Sequence, residues 1–324
     1  MVHSKPLISI GMPVYNGERF IRQTLDSLLA QDYENFELII SDNASTDGTQ
    51  EICLDYAARD KRIRYFRNEM NMGAAWNYNH VFELSSGDYF MWASDDDYWD
   101  SSYLRSCLEP FDTSEAIVLA GAVCENINPE TEELILIDQG FSTVGLSSSE
   151  RFKLYKSTVH GGRHIGGIFY GVYKRNALRE VMPAREVIAT DHLILAELCL
   201  LGEFVTVQKR LMVKRWGGTS VSIGSIAGVL GINNPFLIQF PYFVREVLLQ
   251  KIIFQSDRLS MAEKIKLGSW SLGNYAQFCF KRVIFMLWVL RLLPAYGKYK
   301  VKRARELLYR AARRASSRFK IEIR

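Results

Sequence analysis

The 324 residues are 48% hydrophobic and 23% charged, a globular balance that excludes a disordered or collagen-like chain and leaves room for one large domain with an appendage. The net charge of +4 hides an asymmetry: residues 281–324 hold 14 Lys or Arg against Glu306 and Glu322, so an acidic body precedes a basic tail. Five cysteines with no Cys-x-x-Cys pair exclude a disulfide framework or thiolate zinc site, and Met1 to Pro6 lacks the apolar stretch of a signal peptide, so a cytosolic protein is expected.

Residues 7–14 read as a near-continuous apolar strand, followed by the turn signal Tyr15-Asn16-Gly17. Phe20, Ile21, Leu25, Leu28 and Leu29 recur at helical spacing and predict an amphipathic helix ending near Gln31. A second strand follows at 36–41, closed by the polar loop 42–48; then come a helix at 49–59 and a short strand at 63–66. This alternation predicts a mostly parallel, helix-flanked sheet, with ligands beyond the carboxyl ends of its strands. The basic patch Lys61 to Arg67 lies in a net acidic body and reads as a solvated strand edge, not a nucleic-acid site.

The apolar run from Tyr89 to Ala93 reads as a buried strand, and it ends in Asp95, Asp96 and Asp97. Adjacent carboxylates repel one another, so the run suits a hard divalent cation that takes one or two carboxylates and completes its shell with water and phosphate oxygens. The same residues also suit a solvated turn capping the next helix. No Gly-x-Gly-x-x-Gly follows the first strand and no Gly-x-x-x-x-Gly-Lys-Ser/Thr occurs, so a dinucleotide site and a phosphate loop are not expected.

Four motifs stand in order: Ile8-Ser-Ile-Gly-Met-Pro-Val-Tyr-Asn-Gly17, Ser41-Asp-Asn-Ala-Ser-Thr-Asp-Gly-Thr49, Asn71-Met-Gly73 and Gly87-Asp-Tyr-Phe-x4-Asp95-Asp-Asp-Tyr-Trp99. Together they resemble the family 2 glycosyltransferases, closely over the first 100 residues and more loosely to about residue 220. The resemblance implies a GT-A fold, a nucleotide-diphosphate sugar donor, Mn²⁺ or Mg²⁺, and inversion at the anomeric carbon. It places Pro13 and Tyr15 against the base, Asp42 on a base N–H, Asp95 at the ribose or metal-bound water, and Asp96 on the metal. A carboxylate only accepts, so Asp42 suits the imide of uracil or thymine and not cytosine. Asn71, Gly73 and Asn77 match the loop and helix beneath the donor, and Trp76 reads as core.

Beyond the acidic run, residues 116–124 predict a strand, 134–137 a returning hairpin strand, and 168–173 another strand. The glycine-rich stretch 161–167 is either an acceptor-side loop or a plain connection. Thr190-Asp191 opens an apolar helix; by itself Asp191 reads as a cap or a carboxylate held ionised by the helix dipole. The resemblance makes Asp191 the general base; His164 and His192 are alternatives that the family pattern does not single out, a lone histidine near an apolar helix being more often structural. Many relatives carry Arg-x-His at the next strand end, but here Lys214-Arg215-Trp216-Gly217 puts glycine at the histidine position, leaving Arg215, Thr219 or Ser220 to meet the diphosphate.

The expected organisation is thus α/β: a GT-A catalytic domain at 1–225 and a helical, basic region at 226–324. The apolar run 283–293 is too short to span a bilayer. It reads either as an interfacial helix or as part of a helical subdomain with solvated charges. The interfacial reading implies a lipid-linked saccharide acceptor and a place on the inner face of the plasma membrane. Two other functions fit parts of the pattern: a sugar-nucleotide-binding or scaffolding subunit without turnover, and a sugar-phosphate nucleotidyltransferase, which needs a Gly-rich basic loop that this chain lacks after its first strand.

Overall fold

The computed structural model describes residues 5–160, 166–216 and 234–292, with the backbone alone for 159–160 and 280–292. The first half alternates as its sequence pattern dictates: β1 (Ile8–Val14), α1 (Ile21–Leu29), β2 (Phe36–Asp42), α2 (Thr49–Arg59), β3 (Ile63–Arg67), α3 (Ala74–Glu83) and β4 (Tyr89–Trp92). These strands pair in parallel in the order β3-β2-β1-β4. Every residue of β1 is buried, as a strand covered on both faces requires. At Gly11 a Cβ would lie 2.8 Å from both Phe90 and Val81, so the glycine lets α3 settle on the sheet.

The second half is β5 (Tyr98–Trp99), α4 (Tyr103–Leu108), β6 (Ile117–Ile127), β7 (Leu134–Asp138), α5 (Ser148–His160), α6 (Gly166–Phe169), β8 (Val172–Lys174), α7 (Arg175–Val181), α8 (Thr190–Leu201) and β9 (Glu203–Arg215). Together with the first half they make a nine-stranded sheet in the order β3-β2-β1-β4-β8-β6-β9-β5, with β7 on β6. β8 runs antiparallel to both β4 and β6, β5 runs antiparallel to β9, and β6 and β9 are parallel, so this sector is mixed. The strand expected at 168–173 is instead the helical turn α6 followed by the short β8. A Cβ at Gly167 would come within 2.7 Å of the Ala122 carbonyl, so the turn lies flat on β6. Trp92 ties this sector to β4: it stacks on Phe169 at 5.3 Å and meets Phe90 and Tyr173 edge-on. Trp76 is half-buried and stacks on His80, where core placement was expected.

Helices α9 (Pro235–Gln239), α10 (Pro241–Gln255) and α11 (Met261–Leu292) follow. The chain forms two compact units, Met1–Ser271 and Leu272–Arg324. The domain boundary expected at 225/226 lies outside the described residues, as do His164, Thr219 and Ser220, Gly217 and the tail from 293. No described helix is long and apolar enough to cross a membrane. Within the first unit, Lys156 on α5 donates to Glu246 of α10 at 2.7 Å and to the Ser271 carbonyl at 2.9 Å, all buried. Glu246 Oε1 also accepts from Gln250 at 2.8 Å and from Ser271 at 2.7 Å, so the pair is embedded in hydrogen bonds.

Removing one partner of a buried pair strands the other charge, at a cost of about 3–5 kcal/mol, whereas apolar replacement of both is often neutral. Glu246→Leu is expected to lower stability by that amount in urea unfolding, and Glu246→Leu with Lys156→Met to recover most of it.

Candidate active site

Three loops meet at the carboxyl ends of β1, β2 and β4. Gly11 turns its carbonyl toward β4, where it accepts from Ala93 N–H at 2.9 Å; Pro13, two residues on, faces the same side but beyond the last β4 pair, Gly11 with Trp92. Its missing N–H therefore costs no ladder bond there. Tyr15 follows, 48% exposed, an aromatic face open to a stacking partner.

The loops after β1 and β2 are stitched together. Asn16 takes a left-handed backbone (φ 55°), donates its N–H to Ser45 Oγ at 2.9 Å, and accepts from Thr46 N–H at 2.8 Å. Gly17 N–H donates to Thr49 Oγ1 at 2.8 Å, and Gly48 N–H to Glu18 Oε2 at 2.9 Å. A Cβ on Gly17 would lie 2.2 Å from Asp95 Oδ2 and 2.9 Å from Val14, so glycine here leaves room for the Asp95 carboxylate against this loop. Burial, and then the charges of Asp42, Asp95 and Asp47, push the buried Cys53 thiol up to about 12.

Asp42 sits deeper than its expected role at the base suggests. It is fully buried; Oδ1 accepts from Ser45 N–H at 2.8 Å, and Oδ2 from Tyr65 at 2.7 Å and Arg67 at 2.6 Å. Arg67 is thus a site residue that the sequence reading passed over as strand edge. The other arginines of that patch are also paired, Arg62 with Asp60 and Arg64 with Glu37. Beneath β2, Asn77 exchanges hydrogen bonds with Ser41, and Asn71 accepts from Asn43 and from Gly73 N–H.

The acidic run divides its labour. Asp97 is fully buried; it accepts from Lys214 Nζ at 3.1 Å and from Arg215 N–H at 2.9 Å, both from β9. Burial pushes its carboxyl up to about 6, with Lys214 pulling the other way. Thr24 on α1 reaches the Asp95 and Asp97 carbonyls at 3.0 and 2.7 Å, fixing the turn from the opposite side. Arg215, one of the three residues expected to meet the diphosphate, is buried: it is sandwiched by Phe20 and Tyr98, bonds the Asp96 carbonyl and Gln23, and so props the run from behind. Its Nε has no partner among the described residues.

Asp95 and Asp96 make no ion pair among the described residues. Asp96 accepts from the Ser94 hydroxyl, and Asp95 is pushed up to about 8 by burial and by the charge of Asp96. Crowded hard-oxygen donors whose repulsion a cation relieves fit Mg²⁺ or Mn²⁺. Among the described residues no three His, Cys, Asp or Glu side chains converge on a preformed cage, so water and phosphate oxygens would supply the other ligands.

Asp191 lies in the first turn of α8, whose N-cap is Ala189 in a left-handed backbone (φ 66°). Asp191 is therefore not the cap, and its carboxylate has no hydrogen-bond or ion-pair partner among the described residues. Tyr155 on α5 fixes this turn by donating to the His192 carbonyl at 2.7 Å, and burial holds the His192 imidazole below its usual range, favouring the neutral ring. Tyr170 links the two acidic regions: after burial, the charges of Asp97, Asp96 and Asp191 raise its hydroxyl together. It hydrogen-bonds Tyr78 at 3.3 Å, and Lys214 sits 4.7 Å from its ring centre. Lys214 and Tyr170 carry no local motif, and only the pairing of β9 and β8 into the sheet brings them here.

Residues 9–181 match the family model described as glycosyl transferase family 2. A Bacillus subtilis protein assigned provisionally as the teichuronic acid biosynthesis glycosyltransferase TuaG is 38% identical over 109 residues, 34% of this chain and 43% of that one. The chain spans about half the length of the first curated relatives it matches. Among solved structures, S. aureus TarS in complex with UDP aligns with TM-score 0.60 and 18% identity over 91% of this chain and 76% of TarS. The Pyrobaculum calidifontis mannosyltransferase PcManGT, in complex with GDP-Man and Mn²⁺, aligns with TM-score 0.51 and 16% identity over 98% and 87%. At these identities the structural likeness speaks for a shared GT-A fold.

Lys214→Met leaves Asp97 buried without its counter-charge, and a loss of about 3–5 kcal/mol at pH 7 is expected. An acid whose folded pKa lies above its unfolded value stabilises the fold increasingly as pH falls between the two. The deficit of Lys214→Met should therefore shrink from pH 7 to pH 5 in urea unfolding, as Asp97 takes up a proton.

Proposed function

The chain belongs to glycosyl transferase family 2, and on that premise we propose that it is a metal-dependent, inverting glycosyltransferase acting in cell-surface polysaccharide synthesis. The donor is a nucleotide-diphosphate sugar, most readily a UDP-sugar, and the acceptor a hydroxyl of a saccharide or lipid-linked saccharide. The observation that carries this reading is the division of the acidic run: Asp97 is paired with Lys214, while Asp95 lies against Gly17 and neither Asp95 nor Asp96 makes an ion pair among the described residues. The polysaccharide role is supported by the TuaG relative, and UDP by the TarS complex.

Tyr15 stacks on the base, and Pro13 stiffens the strand end beneath it. Asp42 accepts from the base N–H, which requires Arg67 to yield or share an oxygen. A carboxylate suits guanine N–H as well as uracil, in keeping with the GDP-Man of the PcManGT complex, so the base is decided by the contacts around Asp42 and not by its charge. Asp96, with Asp95, would hold the divalent cation, which when bound offsets charge on the leaving diphosphate. Asp191 takes the proton of the acceptor hydroxyl as its oxygen attacks the anomeric carbon opposite the departing diphosphate, which inverts that centre.

Calorimetric titration with UDP, dTDP, GDP and CMP, with and without Mn²⁺, tests the donor site. UDP or dTDP is expected to bind in a Mn²⁺-dependent way that Asp96→Ala abolishes; binding indifferent to both metal and Asp96 would favour a scaffolding subunit. Asp191→Asn should lower transfer by about 10²-fold or more while UDP affinity stays within about twofold, since a base contributes to the transition state alone. Transfer that survives in Asp191→Asn assigns the base elsewhere.

A further inference from the structure

Helix α10 is apolar on two opposite faces. Leu249, Ile252 and Ile253 are buried, together with Glu246, and the helix packs against α8. At about 100° per residue, Phe240, Phe243, Val247 and Phe254 gather on the other side, with Lys251 among them. These four are 46%, 46%, 50% and 47% exposed, and Phe236 of α9, 51% exposed, joins them with its ring 5.3 Å from Phe240 and 6.3 Å from Phe243. The rings of Phe236, Phe240 and Phe243 form one exposed cluster, and an exposed aromatic cluster of this kind marks a contact surface.

We propose that the aromatic face of α9 and α10 docks on an anionic lipid surface. Its charge selects that occupant. Between residues 234 and 256 the single acid is Glu246, buried on Lys156, whereas Lys251 emerges exposed within the stripe. Phenylalanine rings enter the headgroup boundary while a lysine stem lies along them and leaves its ammonium among phosphates. Residues 281–324, with 14 Lys or Arg against two acids, add attraction of the same sign. Pairing of the patch with a second copy of itself would instead bring Lys251 of each copy into one apolar contact, which like charge disfavours. Since α10 packs on α8, docking sets the helix that carries Asp191 beside the bilayer, and so favours a lipid-linked acceptor. That last step rests on the proposed transfer; the docking does not.

The test is co-sedimentation of the full chain with phosphatidylcholine vesicles, plain or enriched in phosphatidylglycerol. The wild type is expected to sediment with the anionic vesicles. Phe240→Ser with Phe243→Ser should bind about tenfold more weakly at an unchanged melting temperature, because both rings are already exposed. Three results overturn the proposal: wild-type chain left in the supernatant, a double variant that binds as tightly as the wild type, or a wild-type dimer in light scattering that the double variant dissolves. UDP binding by the same variants reads the donor site separately, so failure of docking is distinguishable from failure of the transferase reading.

Discussion

Three neighbouring carboxylates at the end of one strand are a problem of repulsion, and the arrangement of β9 is the answer to it. Lys214 withdraws Asp97 into a buried ion pair, and the next residue fixes the same carboxylate through its backbone N–H. Arg215 then reaches past to the Asp96 carbonyl. The acidic turn is thereby pinned from the sheet side by two consecutive cations, and from the helix side by Thr24. The carboxylates left without a cation are Asp95 and Asp96, where negative charge is useful only if something positive arrives.

The same economy governs the surrounding loops. The connections after β1 and β2 hold one another through Asn16, Ser45, Thr46, Gly17 and Thr49, so their shape does not wait on a ligand. Preformed loops of this kind lower the ordering cost of binding. Asp42 and Arg67 are the exception, a pair whose mutual satisfaction competes with the base recognition proposed for Asp42.

Much of this was legible in the chain itself. The first four strands and α1 follow from apolar runs and helical spacing, and α2 spans the expected 49–59, whereas the helix at α3 was expected from the family resemblance alone. The acidic run was visible as chemistry because charge at a strand end is costly without a reason. Other features were not legible, for physical reasons. Residues 168–173 are apolar and aromatic throughout, and such a run fits a buried turn of helix as well as a strand. Arg215 looked free to meet a phosphate because sequence cannot show that Phe20 and Tyr98 close on it. Lys214 gave no signal, since its meaning depends on a partner 117 residues away. Asp191 looked like a cap because its true cap, Ala189, is a residue type that rarely takes a left-handed backbone.

That alanine has an implication of its own. A left-handed backbone at a residue with a Cβ costs roughly 1–2 kcal/mol, and glycine would remove that cost. Glycine would also free the hinge to sample other directions, loosening the heading of the first turn of α8. Ala189 instead narrows the directions from which the chain can enter the helix, and with them the directions in which Asp191 can point. In this corner of the fold a modest local instability is exchanged for aim.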